Sequence, residues 1–144
     1  MERSYYGVER AFILCVSLIL LPFSSVEGQS EEVDVEKAVT RAIEAGNASK
    51  LSGHFTQKVD LSTPDTDDVF SKAQAEQILK DFFQEHPPEK LVLEHQGTSK
   101  LKDRYHIGKL VTEKDKFRLT YFMKKVDSRT KIKKLQIEPY DGDL

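Results

Sequence analysis

The chain has 144 residues, with 22 basic and 24 acidic side chains and a formal net charge of −2. This near-neutral balance gives no long-range field that would hold nucleic acid or an anionic membrane, so neither partner is expected. A hydrophobic fraction of 38%, with 9% aromatic residues, is enough for a packed core and argues against a disordered chain. We therefore expect one small folded domain.

The start of the chain has the composition of a secretory signal peptide. Basic residues precede an apolar run over residues 11–21, which is too short to span a bilayer. Small residues at Val26 and Gly28 then mark a cleavage site. We predict a signal peptide at 1–28, a mature domain at 29–144, and export to the periplasm or beyond, without a membrane anchor after cleavage. An uncleaved anchor is the alternative.

The chain contains one cysteine, Cys15, which lies inside that apolar run. Removal of the signal peptide would leave the mature domain with neither a disulfide nor a thiol nucleophile. Packing alone would then stabilise the domain, and cysteine catalysis is excluded for it.

A first amphipathic helix is predicted from Asp34 to Gly46. Its apolar positions recur every three or four residues and form one stripe: Val35, Val39, Ala42 and Ile43. Asn47 is placed to cap a short second helix through Leu51. The tripeptide 47–49 is also a glycosylation sequon, which matters only in a eukaryotic secretory pathway.

Residues 55–61 alternate in polarity, which predicts a short strand. The residues expected on one face of this strand are Phe55, Gln57, Val59 and Leu61. Residues 62–69 are polar and acidic around Pro64, and this composition predicts a surface loop. A calcium loop is not expected, because the glycine and the late glutamate of such loops are missing.

A longer helix is predicted to begin at Ser71. Ser71 and Gln74 can form a capping box, and Phe70 is placed for a hydrophobic staple. The apolar stripe of this helix consists of Ala75, Ile78, Leu79, Phe82 and Phe83. Pro87-Pro88 should end it.

The rest of the chain contains four extended segments joined by short polar turns: 90–97, 104–112, 116–126 and 130–138. Antiparallel pairing is favoured, because parallel neighbours would require long crossover connections. The predicted fold class is α+β, with N-terminal helices packed on an antiparallel sheet.

Several segments in this order carry a resemblance to a known family: Gly46-Asn47-Ala48, the helix 71–83, and residues 95–99, 105–110, 117–118 and 135–138. The chain resembles the nuclear transport factor two-like, cystatin-like α+β cone over about residues 33–139. More narrowly, it is similar to a domain-of-unknown-function branch of exported Bacteroidetes proteins. The resemblance implies a strongly curved sheet around helices, often with a cavity at the wide end, and dimers formed through the outer sheet face. Members include isomerases, dehydratases, transport adaptors and proteins without a known reaction, so the fold does not select a function.

Pairing the four extended segments about their turns gives a register in which His95 lies opposite His106. The inner face would then carry Val92, Tyr105, Ile107, Leu119, Tyr121, Met123, Leu135 and Ile137. The outer face would carry Leu93, His95, His106, Gly108, Thr120, Phe122 and Lys134. This outer face is mixed in polarity, as a water-exposed or subunit-contacting face would be.

The candidate binding residues are His95, His106, Tyr105 and Phe122. In this register the two histidines would be about 5 Å apart at Cβ, close enough for a shared metal or for mutual repulsion when protonated. Zinc needs three or four protein ligands and no third ligand is placed, so we predict no metal and no cofactor. Surface or interface histidines are the favoured interpretation.

The candidate catalytic residues are His54, Asp60 and Tyr121. His54 lies where the second helix meets the first strand, near Asp60, and Tyr121 could turn its hydroxyl into a cavity. The alternative is structural: a histidine at a helix end and a core tyrosine with a satisfied hydroxyl.

The sequence contains no phosphate-binding loop, nucleophile elbow or paired catalytic carboxylates at fixed spacing. A complete scaffold without a recognisable reactive constellation favours an exported, non-catalytic module that binds a small molecule or an envelope protein. We expect a homodimer formed through the outer sheet face. The alternative is a small cavity enzyme that performs acid/base isomerisation or dehydration, and the sequence does not decide whether the protein is an enzyme.

Overall fold

The computed structural model describes residues 27–142 of the chain. The predicted signal peptide lies outside the described residues except for Glu27 and Gly28, which form the start of the first helix. Within the described range, no helix is long and apolar enough to cross a membrane.

Between residues 27 and 142 the chain forms three helices and six strands. The helices are α1 (Glu27–Glu44), α2 (Ala48–Ser52) and α3 (Lys72–Glu85). The strands are β1 (Phe55–Thr63), β2 (Thr66–Ser71), β3 (Pro88–Thr98), β4 (Arg104–Thr112), β5 (Lys116–Val126) and β6 (Arg129–Pro139).

The six strands form one curved sheet in the order β2-β1-β6-β5-β4-β3. Strands β3 to β6 are the predicted antiparallel meander. Strand β1 lies parallel to β6, which makes the sheet mixed. A parallel neighbour is possible here because α3 and four strands separate β1 from β6 and supply the long connection. The predicted α+β fold class is confirmed.

The helices pack on the inner face of this sheet, where the core lies. Tyr121 on β5 and Leu135 on β6 are fully buried there, as predicted. The buried helical residues that contribute to the core are Val39, Ala42, Ile43, Ala48, Leu51, Ala75, Leu79, Phe82 and Phe83. Burying each large apolar side chain stabilises the fold by roughly 1.5–3 kcal/mol.

The predicted helix caps are present. The Gln74 backbone N–H donates to Ser71 Oγ at 3.2 Å, and the Ser71 backbone N–H donates to Gln74 Oε1 at 3.0 Å, which completes the capping box of α3. Asn47 Oδ1 accepts from the Lys50 backbone N–H at 2.9 Å and caps α2. Each cap stabilises its helix by about 1 kcal/mol.

The predicted loop at 62–69 is wrong. Strand β1 continues to Thr63, Pro64 and Asp65 form the turn, and β2 pairs back on β1. Acidic residues are tolerated in β2 because it is the edge strand and most of its residues are exposed.

The predicted placement of Gln57 on the same face as Phe55, Val59 and Leu61 is also wrong. The β1–β6 register shifts between Phe55 and Asp60, and the Gln57 side chain is exposed.

The predicted register of the first meander hairpin holds from Leu91 to Leu93 and is wrong by one residue from His95 onward. A bulge between Leu93 and His95 pairs His95 with Ile107 and leaves Gln96 opposite His106. A shift of one residue exchanges the two faces of a strand. The predicted β4–β5 register is also wrong by one residue: His106, Gly108 and Leu110 pair with Tyr121, Leu119 and Phe117 and are buried. Tyr105, Ile107, Lys109 and Val111 are only half-buried.

Gly108 permits the close approach of the two strands at this bulge. A Cβ atom at this position would lie 2.6 Å from the Val92 carbonyl oxygen and 3.1 Å from Leu93 Cδ2. Because the nearer atom belongs to the backbone, a side chain here would have to displace β3. Gly108 thus helps to set how β3 lies beside β4.

Candidate functional site

The three candidate catalytic residues do not come together. Asp60 lies on the outer face of the sheet, where its Oδ2 is 3.0 Å from Lys134 Nζ. Tyr121 is fully buried on the inner face. His54 lies at the end of α2, where its backbone N–H donates to the Leu51 carbonyl at 3.0 Å. Because Asp60 and Tyr121 lie on opposite faces, these residues do not form one acid/base site.

The backbone of His54 joins two elements of the fold. Its carbonyl oxygen accepts from the Ile132 backbone N–H at 2.7 Å and ties the start of β1 to β6. Burial lowers the pKa of His54 below its ordinary value of 6.5, and the positive charges of Lys131 and Lys72 lower this pKa further. These surroundings favour the neutral form of the His54 imidazole.

The four candidate binding residues also divide between the faces. Tyr105 and Phe122 are paired neighbours on the outer face, with ring centroids 5.9 Å apart. His106 is only 1% exposed and lies on the inner face. His95 is exposed on β3 and does not pair with His106, so the predicted histidine pair is not formed.

Two connected concavities lie where α1 crosses strands β3 and β4. The first, which we call the His106 cavity, has a volume of about 200 Å³ and is lined by Glu36, Leu93, Glu94, His95, Gln96 and His106. The second, which we call the α1 groove, has a volume of about 420 Å³ and is lined by Glu32, Val33, Glu36, Gln96 and Arg104. Because they share Glu36 and Gln96, a ligand in the cavity could extend into the groove.

His106 and Tyr121 form the buried base of this region. Their rings stack with centroids 4.8 Å apart and an interplanar angle of 14°. His106 Nδ1 lies 3.6 Å from Glu36 Oε2, which is beyond hydrogen-bond distance. Within residues 27–142, neither ring nitrogen of His106 nor the Tyr121 hydroxyl has a hydrogen-bond partner. Each such buried group destabilises the fold by about 1–3 kcal/mol.

The surroundings keep both of these groups neutral. Burial lowers the pKa of His106 below its ordinary value of 6.5; Arg104 lowers it further, and Glu32 opposes the shift. Burial raises the pKa of Tyr121, and the nearby Glu36 carboxylate raises it further. At neutral pH, His106 therefore presents one N–H donor and one nitrogen acceptor, and Tyr121 keeps its hydroxyl proton.

The charged groups around the cavity differ in how well they are paired. Arg104 Nε lies 2.8 Å from Glu32 Oε1 at the edge of the α1 groove. Glu94 Oε1 lies 3.7 Å from Lys109 Nζ, whereas Glu94 Oε2 is buried and finds no hydrogen-bond partner in the described part of the chain. Across that same part, no group of three or more histidine, cysteine or acidic residues is placed to hold a metal ion. The cavity is therefore suited to recognition through hydrogen bonds.

Besides Glu94, the residue of this site that the sequence analysis missed is Glu36. It lies three and seven residues before Val39 and Ile43, so it extends the apolar stripe of α1 toward the N-terminus. Glu32 lies one turn earlier on the same side. Two carboxylates on the buried stripe of a helix were the signal that could have identified this site.

The largest concavity we describe lies elsewhere and was also missed. This open groove of about 830 Å³ includes His86 and Asp115 in its lining. His86 Nδ1 lies 3.3 Å from Asp115 Oδ2, and the His86 ring contacts Phe82 and Phe117 with centroids 4.9 Å away. His86 Nδ1 is also buried without a hydrogen-bond partner in the described chain, but the Asp115 carboxylate lies closer to it than Glu36 lies to His106.

We predict that the pKa of His106 in the folded protein lies below 6.5 and depends on the Arg104–Glu32 pair. Arg104→Gln should raise this pKa because it removes a positive charge, and Glu32→Gln should lower it. NMR titration of the His106 ring protons would measure both shifts. The ring of His106 keeps the same other neighbours in each variant: Tyr121, Glu36, Glu94 and His95.

The same shift has a consequence for stability. As the pH falls, the His106 imidazole is protonated in the unfolded chain before it is protonated in the folded protein, and this favours unfolding. The contribution of His106 to the free energy of unfolding is therefore fully present above about pH 6.5 and is lost as the pH falls toward the lower folded pKa. A folded-state pKa at or above 6.5, or shifts of the same sign in both variants, would contradict this account.

The sequence also matches a known family. The family model for a domain of unknown function, DUF4783, matches residues 36–138, which is more than half of the chain. No protein with a curated description matches the chain.

Solved structures support the same assignment. A DUF4783 family protein from Bacteroides uniformis is 29% identical, with a TM-score of 0.69 over 74% of this chain and 98% of that chain. A second family member, from Bacteroides ovatus, is 26% identical, with a TM-score of 0.66 over 72% of this chain and 94% of that chain.

A more distant likeness shows the fold alone. A cystatin fold protein from Novosphingobium aromaticivorans is 11% identical, with a TM-score of 0.55 over 74% of this chain and 97% of that chain. The expected resemblance to the nuclear transport factor two-like, cystatin-like cone is thereby confirmed. From the family match and the shared fold together, the chain belongs to the DUF4783 family of unknown function.

Proposed function

We propose that the protein is an exported, non-catalytic module that binds a small polar molecule in the His106 cavity and forms a homodimer through the outer sheet face. The observation that supports binding is the set of buried polar atoms in and below this cavity that lack partners in the described chain. Export is supported by the composition of residues 1–28. A secreted protein whose intact mass still includes these residues would contradict cleavage.

The buried polar groups favour binding because they are unfavourable in the free protein. Buried polar groups in folded proteins nearly always find hydrogen-bond partners, and the exceptions are often functional. His106 is 1% exposed and Tyr121 is 0% exposed, so bulk water does not satisfy them. A ligand whose polar atoms fill the gap between His106 and Glu36 would supply the missing hydrogen bonds.

The size of the cavity limits what it can hold. Its volume of about 200 Å³ is roughly seven times the volume that one water molecule occupies in the liquid, roughly 30 Å³. It therefore fits the polar head of a small molecule. The α1 groove, with about 420 Å³ of further space, would hold the rest of a larger ligand.

Geometry argues against the acid/base alternative built on His54, Asp60 and Tyr121. General acid/base catalysis needs its groups within hydrogen-bond reach of one substrate. Asp60 is engaged by Lys134 on the outer face, and Tyr121 lies inside. A binding role needs only a cavity lined by polar groups without partners, and in the described chain His106 lies at such a cavity.

We expect Tyr121→Phe to stabilise the protein and weaken ligand binding at the same time. The substitution removes a buried hydroxyl that lacks a partner in the described chain while keeping the ring that stacks on His106. The free energy of unfolding should rise by about 1 kcal/mol, because no buried polar group is left unsatisfied at that position. Urea unfolding would measure this change.

The binding half of this prediction uses a panel of small probes: n-propylammonium, acetamide and acetate. For any probe that shifts the His106 ring signals in the wild type, Tyr121→Phe should weaken binding by up to about tenfold. Tyr105→Phe is the matched control, because Tyr105 lies on the outer face and should leave probe binding unchanged. A Tyr121→Phe protein that is less stable and binds as before would contradict the proposal.

The proposed dimer surface is the apolar part of the outer sheet face. Tyr105 and Phe122 form a tilted aromatic pair, and the half-buried Ile107 follows Tyr105 on the same face of β4. Phe122 pairs in register with Lys134, which lies 3.0 Å from Asp60. An aromatic centre with charged residues beside it is the usual composition of a protein interface.

We expect Phe122→Glu to give a folded monomer, because a dimer interface would remove the new carboxylate from water at a cost that Lys134, already shared with Asp60, does not offset. Light scattering coupled to size exclusion would measure the mass, and circular dichroism would confirm folding. Leu101→Glu is the matched control, since Leu101 is 79% exposed in the turn between β3 and β4. A monomeric wild type, or a Phe122→Glu variant of unchanged mass, would refute the proposed dimer.

A further inference from the structure

We infer that the His106 cavity selects a cationic hydrogen-bond donor, of the chemical class of a small organic amine whose ammonium group enters the cavity. This inference rests on the proposed function, because it names the ligand class of the same site. It follows from which polar atoms lack partners, from the charge of the lining and from the shape of the space.

Three acceptors of the cavity are open to a donor, beside the donors His106 N–H and Tyr121 O–H. Glu94 Oε2 is buried and has no hydrogen-bond partner among the described residues. Glu36 Oε2 approaches His106 Nδ1 only to 3.6 Å, so that contact leaves the carboxylate oxygen able to accept a hydrogen bond. Neutral His106 adds one nitrogen acceptor. An ammonium group carries three donors and no acceptor, which complements this set.

The charges around the cavity favour a cation in the same way. Its lining in the described chain includes two carboxylates, Glu36 and Glu94, and neither lysine nor arginine. The nearest arginine of the site, Arg104, is engaged by Glu32 at 2.8 Å. Lys109 Nζ lies 3.7 Å from the other oxygen of Glu94. An anion in the cavity would face both carboxylates at short range and would be repelled.

The neutrality of His106 removes the main obstacle to a cation. A protonated imidazole at the base of the cavity would repel an ammonium group, but burial and the charge of Arg104 both lower the pKa of His106. The ring is held flat on Tyr121, so it keeps its position when the cavity is occupied. The base therefore offers an acceptor without an opposing charge.

The shape of the site indicates where the rest of the amine would lie. The ammonium group fits the small His106 cavity, and the carbon chain would pass Glu36 into the α1 groove. Val33, which is 47% exposed, lines that groove and offers an apolar contact. A primary amine with a short alkyl chain matches both parts of the site.

The test is an NMR titration of the full mature protein with three probes of equal size: n-propylammonium, acetamide and acetate. At pH 7.5 and low salt, n-propylammonium should shift the His106 ring signals in a saturable way, with an affinity in the millimolar range expected for so small a ligand. Acetamide and acetate should bind at least tenfold more weakly. His106→Phe identifies the histidine signals by their loss.

Three carboxylate variants locate the binding. Glu94→Gln and Glu36→Gln should each weaken n-propylammonium binding at least fivefold, because each removes a charged acceptor from the cavity. Glu89→Gln is the matched control, since Glu89 is an exposed acidic residue of the same strand as Glu94. Affinity for n-propylammonium that is unchanged in both cavity variants would overturn the inference.

The outcomes also separate this inference from the proposed function. If acetamide or acetate shifts the His106 signals and n-propylammonium does not, the cavity binds ligands but the cationic class is wrong. If no probe shifts these signals, small-molecule binding in the His106 cavity fails, and the inference fails with it.

Discussion

The arrangement of the whole molecule depends on the register between β4 and β5. His106 pairs with Tyr121, and Tyr105 pairs with Phe122. Because side chains alternate along a strand, this one constraint places His106 inside and Tyr105 outside. The bulge at Leu93 to His95 and the close approach at Gly108 then set how β3 lies beside β4. The inner polar site and the outer aromatic pair are therefore two results of one register.

The inner site is a local conflict within an otherwise consistent fold. The stripe of α1 is apolar at Val39 and Ile43, where it packs in the core, and becomes acidic at Glu36, where it covers His106. An apolar residue there would pack better in the free protein. Natural proteins depart from local consistency chiefly at functional sites, where stability is given up for recognition. The neutral His106, the protonated Tyr121 and the partnerless oxygen of Glu94 fit that pattern within the described chain.

Features that depend on residues close in sequence were predictable, whereas features that depend on pairing between distant segments were not. The caps at Asn47 and Ser71 were predictable because each joins residues three positions apart. The four meander strands were predictable because polarity and turn residues mark them locally. The hairpin over 62–69 was missed because pairing with β1, and not local composition, makes β2 a strand. Of the site, His106 and Tyr121 were named as candidates, but in separate roles and on opposite faces, and Glu36 was not recognised.

The sequence by itself determined the helices, the extended segments, the apolar stripes and the family resemblance, because all of these depend on the identity and spacing of nearby residues. Tertiary structure alone decided which face of β4 is buried, that β1 runs parallel to β6, and that Glu36, Glu94 and His106 share one cavity. The physical reason is that a register change of one residue reverses the faces of a strand without altering its composition. Only contacts between elements distant in sequence select the register in which a histidine lies beneath a helix and beside two carboxylates.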